Sequence, residues 1–132
     1  MTTTVPTLQA ATTLARIDKL IANEIVADAL EQAAIYVDAG WCQGHMVEPR
    51  TGNVCAAGAI NRACPHNVAI RDAATSALAK VFRDQFPAIN DRCCGSDCDF
   101  GTVIRGNDQH ATSADQVSTC MRKAAVDLRG AL

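Results

Sequence analysis

Apolar residues recur at the three- and four-residue spacing of an α-helix along most of this chain, and this pattern predicts four to five helices. Two successive apolar rows come first: Leu14, Ile17, Leu20 and Ile21, and then Val26, Leu30, Ala33 and Val37. Asn23 lies between the rows, so the sequence allows either a break, with Asn23 as an N-cap, or a bend within one long helix. Gly40 is a typical residue for the end of this section.

Three later segments repeat the helical pattern. The short run "CAAGAINRA" ends before Pro65, a longer helix follows with Asn67 as its N-cap, and a terminal helix starts at Ser113. The sequence "SADQ" fits a capping box, in which Ser113 accepts a hydrogen bond and Gln116 reaches back to the cap. Residues 88–112 have little periodicity and predict a long irregular connection. The apolar rows of the two longer helices are Ile70, Ala74, Ala77, Leu78, Val81 and Phe82, and Val117, Met121, Ala124 and Leu128.

The segment between the first two predicted helices has a different character. Gly44, Pro49 and Gly52 interrupt it, and "VEPRTGNV" has the form of two short extended arms around a turn. We therefore predict a β-hairpin at about residues 42–55. The expected fold class is mainly α: a small compact helical domain of four to five helices with this one inserted hairpin. Gly58, inside the following helix, predicts close approach of another backbone or of the Trp41 ring.

Length and charge limit the classes of function. A chain of 132 residues suits one domain, 1–132, with its own core. The net charge of −2 disfavours a protein that holds nucleic acid by its phosphates. There is no apolar stretch of the roughly 18 residues that a membrane helix needs, and the N-terminus does not have the pattern of a secretory signal. We therefore expect a cytoplasmic protein with no membrane or nucleic-acid partner.

Three motifs combine in a recognisable order: "GWCQG" after the first helix, then "VCAAGAINRA", and much later "VIRGNDQHATSADQV" before the last helix. This order resembles the DUF6197 family, small uncharacterised proteins of actinobacteria, other bacteria and their phages. The resemblance extends from about residue 24 to the C-terminus. The matching positions are Gly40, Trp41, Gln43, Gly44, Gly52, Cys55, Gly58, Ala59, Ile60, Asn107, Asp108, Ser113 and Val117.

The chain departs from the family pattern at three places. Gly106 stands where the family usually has tryptophan, Ser113 where it has threonine, and Gln116 where it has glutamate. The last two changes preserve capping chemistry, whereas the first removes a large ring. The family has no established activity, so the resemblance implies a fold and an actinobacterial or phage context but no mechanism.

The seven cysteines make zinc the sharpest chemical hypothesis. "CCGSDC" places Cys93, Cys94 and Cys98 together, and structural zinc is held by four thiolates or imidazoles. The fourth ligand is left open among three candidates: Cys64, His66 and Cys120. The alternative is that these cysteines are reduced thiols on a loop, because C-x-H in "CPH" is not the usual spacing of a second ligand pair.

Two further cysteine hypotheses carry less weight. Cys42, His45 and Cys55 form a second possible metal site if the hairpin brings them together. For Cys55, however, the role of a small buried side chain is the better interpretation. A nucleophilic cysteine needs a histidine beside it and a third group that orients the histidine. No local signature selects such a pair, so a cysteine-dependent enzyme is the third alternative for function.

The remaining polar and aromatic candidates favour structural roles. Asn107 and Asp108 are typical of side chains that bond to backbone N–H groups in a turn before a helix. Trp41, the only tryptophan, is expected to anchor the core, with a partner-binding role as the alternative. The preferred function is a non-enzymatic accessory protein that binds another protein or itself, in host modulation, counter-defence or virion assembly. A zinc-stabilised binding module is the second hypothesis.

Overall fold

The computed structural model describes residues 8–89 and 98–131 of the chain. Within these residues the protein is mainly helical, with five α-helices and one π-helical turn. The elements are α1 (Leu8–Ala39), α2 (Ala56–Ala63), α3 (Val68–Gln85), α4 (Asp99–Arg105), the π-helical turn (Gly106–His110) and α5 (Ala114–Arg129). None of the described helices combines the length and the apolar character needed to span a membrane.

The core is formed where α1, α2, α3 and α5 meet, and α1 makes its most extensive contact with α5. Many of the buried positions are alanines, which let helix axes approach closely because little side chain lies between them. Phe82, Leu30, Ile60, Leu78 and Met121 are the largest side chains that are fully buried. The core row of α1 is Val26, Leu30, Ala33 and Val37, all buried as the spacing predicts.

Helix α1 is continuous through Asn23, so the predicted alternative of a break at this residue is wrong. The Asn23 side chain instead donates a hydrogen bond of 3.0 Å from Nδ2 to the carbonyl oxygen of Leu128 at the end of α5. Asn23 therefore links α1 to the C-terminal end of α5, and it is not an N-cap.

The β-hairpin predicted at about residues 42–55 is absent, and that part of the fold prediction is wrong. Residues 40–55, which we call the motif loop, contain only two isolated bridges, Trp41 with Val54 and Val47 with Val54. Neither pairing extends into a ladder. Gly44 and Gly52 have φ values of 81° and 73°, a left-handed conformation that glycine adopts without strain. The loop therefore folds back on itself twice within a few residues.

The prediction of an irregular connection at residues 88–112 is also partly wrong. Residues 90–97 lie outside the described part of the chain, but the connection then forms α4 and the π-helical turn. Cys98 starts α4, and its Sγ accepts a hydrogen bond of 3.2 Å from the backbone N–H of Gly101. Periodicity missed α4 because seven residues are too few to show a helical repeat.

The predicted caps are confirmed with one correction. Asn67 accepts from the N–H of Ile70 at 3.0 Å, and Ser113 accepts from the N–H of Gln116 at 3.1 Å. The Gln116 side chain, however, accepts from the N–H of Thr112 at 2.8 Å. The return bond of the predicted capping box therefore goes to Thr112, one residue before the cap Ser113.

Candidate functional site

Asn107 connects the motif loop to the rest of the domain. Its side chain is fully buried in the π-helical turn, and its Oδ1 accepts from the indole N–H of Trp41 at 2.7 Å and from the N–H of Ala56 at 3.0 Å. Its Nδ2 donates to the carbonyl oxygen of Cys42 at 3.1 Å. Ala56 is the first residue of α2, so its N–H has no acceptor within the helix. Asn107 supplies that acceptor from a distant part of the chain.

Asp108 and Gln43 extend this network to the surface. Asp108 accepts at Oδ1 from the N–H of Gly44 at 3.1 Å and from the Asn107 side chain at 2.8 Å. The side-chain amide of Gln43 donates to the carbonyl oxygens of Asn107 and Ala111, at 2.9 and 3.1 Å. We refer to Trp41, Gln43, Asn107 and Asp108 as the motif network, because it joins two of the sequence motifs.

The motif network has the properties of a scaffold. Both ends of the Asn107 carboxamide are used within the protein, and so is the single N–H donor of the Trp41 indole. Asn107 and Asp108 accept from backbone N–H groups, as predicted, but these groups belong to Ala56 and Gly44, which are far away along the chain. The structural role expected for Trp41 is supported by its bond to Asn107.

Gly58 and Gly106 lie where a larger residue would not fit, because other atoms already occupy the place of its Cβ. A Cβ at Gly58 would collide with the carbonyl oxygen of Met46, which is the close backbone approach predicted for this position. A Cβ at Gly106 would collide with the ring of Phe82. The Phe82 ring therefore packs directly against the backbone at Gly106.

The motif loop and its neighbours form an open groove on the surface. One hollow of about 410 Å³ is lined by Met46, Ala57, Asn61, Arg71, Asp72, Thr75 and Phe100. A second hollow of about 400 Å³ is continuous with it through the shared residues Met46, Asn61 and Arg71. We call the two hollows together the Met46 groove. It runs between the motif loop, α2 and α3, and α4 contributes Phe100 at one end.

The Met46 groove combines exposed apolar side chains with arginines. Met46 and Phe100 are 36 % and 53 % exposed, which is high for large apolar residues. Arg71 donates from Nη1 to the side chain of Asn61 at 3.1 Å, and this bond positions its guanidinium at the groove. Arg62 lies over the Tyr36 ring at 5.5 Å and donates to the carbonyl oxygen of Gly52. Among the described residues that line the groove, the two arginines outnumber the one acidic residue, Asp72.

The cysteines in the described part of the chain are free thiols, and most of them are buried. Burial raises the pKa of Cys55 and Cys64 above the ordinary thiol value, and it raises the pKa of Cys120 to about 11. Burial also raises the pKa of Cys42. A catalytic thiolate needs the opposite shift, so these four residues do not have the electrostatic setting of a nucleophile.

The zinc hypothesis remains a prediction, because Cys93 and Cys94 lie outside the described residues. Of the other candidates, Cys64 is buried and donates from Sγ to the carbonyl oxygen of Ile60 at 3.0 Å, while His66 is exposed. Residues 8–89 and 98–131 hold no group of three or more His, Cys, Asp or Glu side chains arranged for a metal ion. At the alternative site of Cys42, His45 and Cys55, the Cys42 thiol donates to the His45 carbonyl oxygen at 3.3 Å, and a metal there stays a prediction.

The motif network brings the separated sequence motifs together in space, and a family comparison covers all of them. The model of a family of unknown function, DUF6197, matches residues 22–127. This chain belongs to the DUF6197 family. No curated protein and no solved structure gives a significant match to the chain. The matched region contains every residue of the motif network, and the function of the family is unknown.

The residues that line the Met46 groove were not found from the sequence. Met46 and Phe100 gave no signal because single apolar residues in loops and short helices have no periodicity. Arg71 was missed because most charged residues in a helix face solvent and do not belong to a binding site. Only their arrangement around one groove distinguishes these residues.

Proposed function

We propose that this DUF6197 protein is a non-enzymatic accessory protein that binds another protein, and that the Met46 groove holds a segment of that partner. The observation that carries the proposal is the placement of exposed Met46 and Phe100 beside Arg71 in one groove. Methionine, aromatic residues and arginine are the side chains enriched at protein interfaces. Isolated apolar side chains on a surface are ordinary, but here they share a concave site with a positioned guanidinium.

The chemistry of the groove indicates what kind of segment fits. Met46 is flexible and adapts to different apolar side chains. Arg71, oriented by Asn61, is suited to a carboxylate because a guanidinium binds both carboxylate oxygens at once. We therefore expect a partner segment that places an aspartate or glutamate next to a large apolar residue.

The buried thiols support the non-enzymatic part of the proposal, because their raised pKa values oppose thiolate formation at neutral pH. The context of the proposal comes from the family resemblance: a cytoplasmic protein of an actinobacterium or of its phage. Host modulation, counter-defence and virion assembly are all consistent with binding at such a groove.

Selection of a random peptide library on the purified full chain tests this function. We expect enriched peptides with an acidic residue beside an apolar one, and binding that weakens by more than about tenfold in the variants Phe100→Ala and Arg71→Glu. Val126→Ala is the matched control, since Val126 is 65 % exposed on α5 and is not among the residues that line the groove. A library that yields no binder, or binders indifferent to both variants, would overturn the proposal.

A further inference from the structure

Cys42 and Cys55 lie side by side in the motif loop. Trp41 and Val54 form a parallel bridge. Val54 donates from its N–H to the carbonyl oxygen of Gly40 at 2.9 Å, and its own carbonyl oxygen accepts from the N–H of Cys42 at 3.0 Å. That carbonyl is bonded to the nitrogen of Cys55, so the backbones of the two cysteines run next to each other. Paired extended segments lie about 4.8 Å apart, and a disulfide needs two Cα atoms separated by roughly 4.4–6.8 Å.

The side chains of the two cysteines leave the backbone on the same side. One step before the bridge, a Cβ at Gly40 would collide with the side chain of Asn53, so paired positions on the two segments point the same way. Because side chains alternate along an extended segment, Cys42 and Cys55 repeat this arrangement one step after the bridge. The Sγ of Cys42 accordingly reaches over the second segment and donates to the carbonyl oxygen of Asn53 at 3.4 Å.

The two thiols differ in their access to solvent. Both are free, and Cys42 is partly exposed, whereas Cys55 is only 2 % exposed. Burial is the main cause of the raised pKa of Cys55, and the adjacent Cys42 raises that pKa further. A reagent from solution therefore reaches Cys42 first, and Cys55 reacts through its neighbour.

We propose that Cys42 and Cys55 are a modification site, at which a small disulfide from solution oxidises the pair to a reversible protein disulfide. The Cys42 thiol releases its proton to water, and the thiolate attacks one sulfur of the small disulfide, whose other sulfur leaves as a thiolate. The Cys55 thiol then releases its own proton, and its thiolate attacks the Sγ of Cys42 and displaces the second small thiolate. Both leaving thiolates take up protons, so two protein thiols are oxidised while one small disulfide is reduced to two thiols.

A bond of this kind responds to the redox state of its surroundings. In a reducing compartment, such as the cytoplasm expected from the sequence, disulfides are transient and are typical of redox sensing. The structure has the pair as two free thiols, the state that a reducing compartment favours. The raised pKa of both thiols leaves little thiolate at neutral pH, so the exchange is expected to take hours rather than seconds.

The disulfide would close a ring of residues 42–55 and fasten the start of the motif loop to the start of α2. Met46 lies inside this ring, and its carbonyl oxygen accepts from the N–H of Cys55 at 3.1 Å. Oxidation therefore also restrains the side of the Met46 groove that this residue forms. Because a ring of this size restricts the unfolded chain, oxidation should raise the melting temperature by about 5–10 °C.

Peptide mapping of the full chain after incubation with oxidised glutathione tests the bond. Free thiols are blocked with N-ethylmaleimide at acidic pH, and the protein is then digested with trypsin without reductant. Trypsin places the two cysteines in separate peptides, residues 20–50 and 51–62, which we expect to find joined and to be released by dithiothreitol. The proposal is overturned if Cys42 and Cys55 stay free or carry only glutathione, or if either is linked mainly to another cysteine.

Thermal unfolding of matched variants tests whether the bond forms in the native loop. Cys42→Ser and Cys55→Ser should show no rise in melting temperature on oxidation. Cys55→Ser keeps the cap of α2, since a serine hydroxyl accepts from the N–H of Gly58 as the Sγ of Cys55 does. Cys64→Ser is the control and should respond as the wild type does, because Cys64 lies at the end of α2, outside the ring.

An equal rise in Cys42→Ser would overturn the proposal, as would a linked wild type whose melting temperature does not rise. Neither measurement involves a partner of the Met46 groove, so the outcome is independent of the proposed function.

Discussion

The indole N–H of Trp41 donates a hydrogen bond of 2.7 Å to the side-chain oxygen of Asn107, which lies 66 residues further along the chain. The same oxygen accepts from the first N–H group of α2. One carboxamide therefore fixes the tryptophan of the first motif and the helix that follows the motif loop. The position of that loop, and hence of Met46 at the groove, depends on this contact.

Replacement of Asn107 by alanine should lower the free energy of unfolding by about 3 kcal/mol, because three buried or partly buried polar groups, on Trp41, Cys42 and Ala56, lose their bond to it. Trp41→Phe removes only one donor and should cost about 1–2 kcal/mol. Urea unfolding of both variants and of the double variant measures the coupling between the two residues. Gln32→Ala, an exposed substitution on α1, is the control. Additive effects of the two substitutions would contradict a shared network.

Gly58→Ala should destabilise the protein by about 1–3 kcal/mol, although alanine is the better helix former by about 1 kcal/mol. The new Cβ would meet the carbonyl oxygen of Met46, which is backbone and cannot rotate away. Gly130→Ala is the matched control, because its Cβ would lie 3.5 Å from the nearest atom, an ordinary contact. Thermal unfolding distinguishes the two variants. Equal melting temperatures for Gly58→Ala and the wild type would show that the motif loop yields at Met46.

The sequence predicted most of the helices but not the form of the motif loop. Helices were predictable because their periodicity and caps, such as Asn67 and Ser113, are local in the sequence. The hairpin prediction failed because the two bridges of Val54, parallel with Trp41 and antiparallel with Val47, both stay isolated. Periodicity also could not show that Val26 faces the core while Ile25 faces solvent, since both belong to apolar rows of one helix. The groove depends on four elements at once, the motif loop, α2, α3 and α4, and left no local pattern.

Acidic solution should destabilise the fold through the Arg129 cluster, in which Glu24, Asp28 and Glu31 surround one guanidinium. The guanidinium of Arg129 bonds to Glu31 at 2.6 Å and holds the pKa of that carboxyl below its ordinary value. A lowered carboxyl pKa in the folded state gives stability that is present above the unfolded value of about 4.3 and is lost as the pH falls through the folded value. Melting temperature as a function of pH should therefore fall below about pH 4.3.

Arg129→Gln tests the origin of this acid dependence. The variant should melt below the wild type at neutral pH, and the difference between them should shrink as the pH is lowered, because protonated carboxyls no longer need the guanidinium. Lys123→Gln is the control, since Lys123 pairs with exposed Asp127 one turn away on the same helix and not with the Arg129 cluster. A pH profile identical in wild type and Arg129→Gln would assign the acid dependence to other groups.

Cys120 should resist alkylation in the folded protein. Its pKa of about 11 leaves very little thiolate at neutral pH, and its side chain is buried against the core. Iodoacetamide labelling followed by peptide mass spectrometry should show Cys120 modified only after denaturant is added, while partly exposed Cys42 reacts earlier. Rapid selective labelling of Cys120 in the native protein would contradict the burial of its side chain. It would favour the alternative of a cysteine-dependent enzyme.

Zinc at Cys93, Cys94 and Cys98 is testable through a property of α4. The Cys98 side chain caps this helix by accepting from the N–H of Gly101, and a serine hydroxyl accepts the same bond. Cys98→Ser therefore preserves the cap but removes a thiolate, so a loss of stability would report the metal, whose binding energy is also folding energy. If zinc is bound, the native mass of the wild type should include it, and chelator should lower the melting temperature of the wild type but not of Cys98→Ser. A zinc-free wild type with the same melting temperature as the variant would leave Cys98 with its capping role alone.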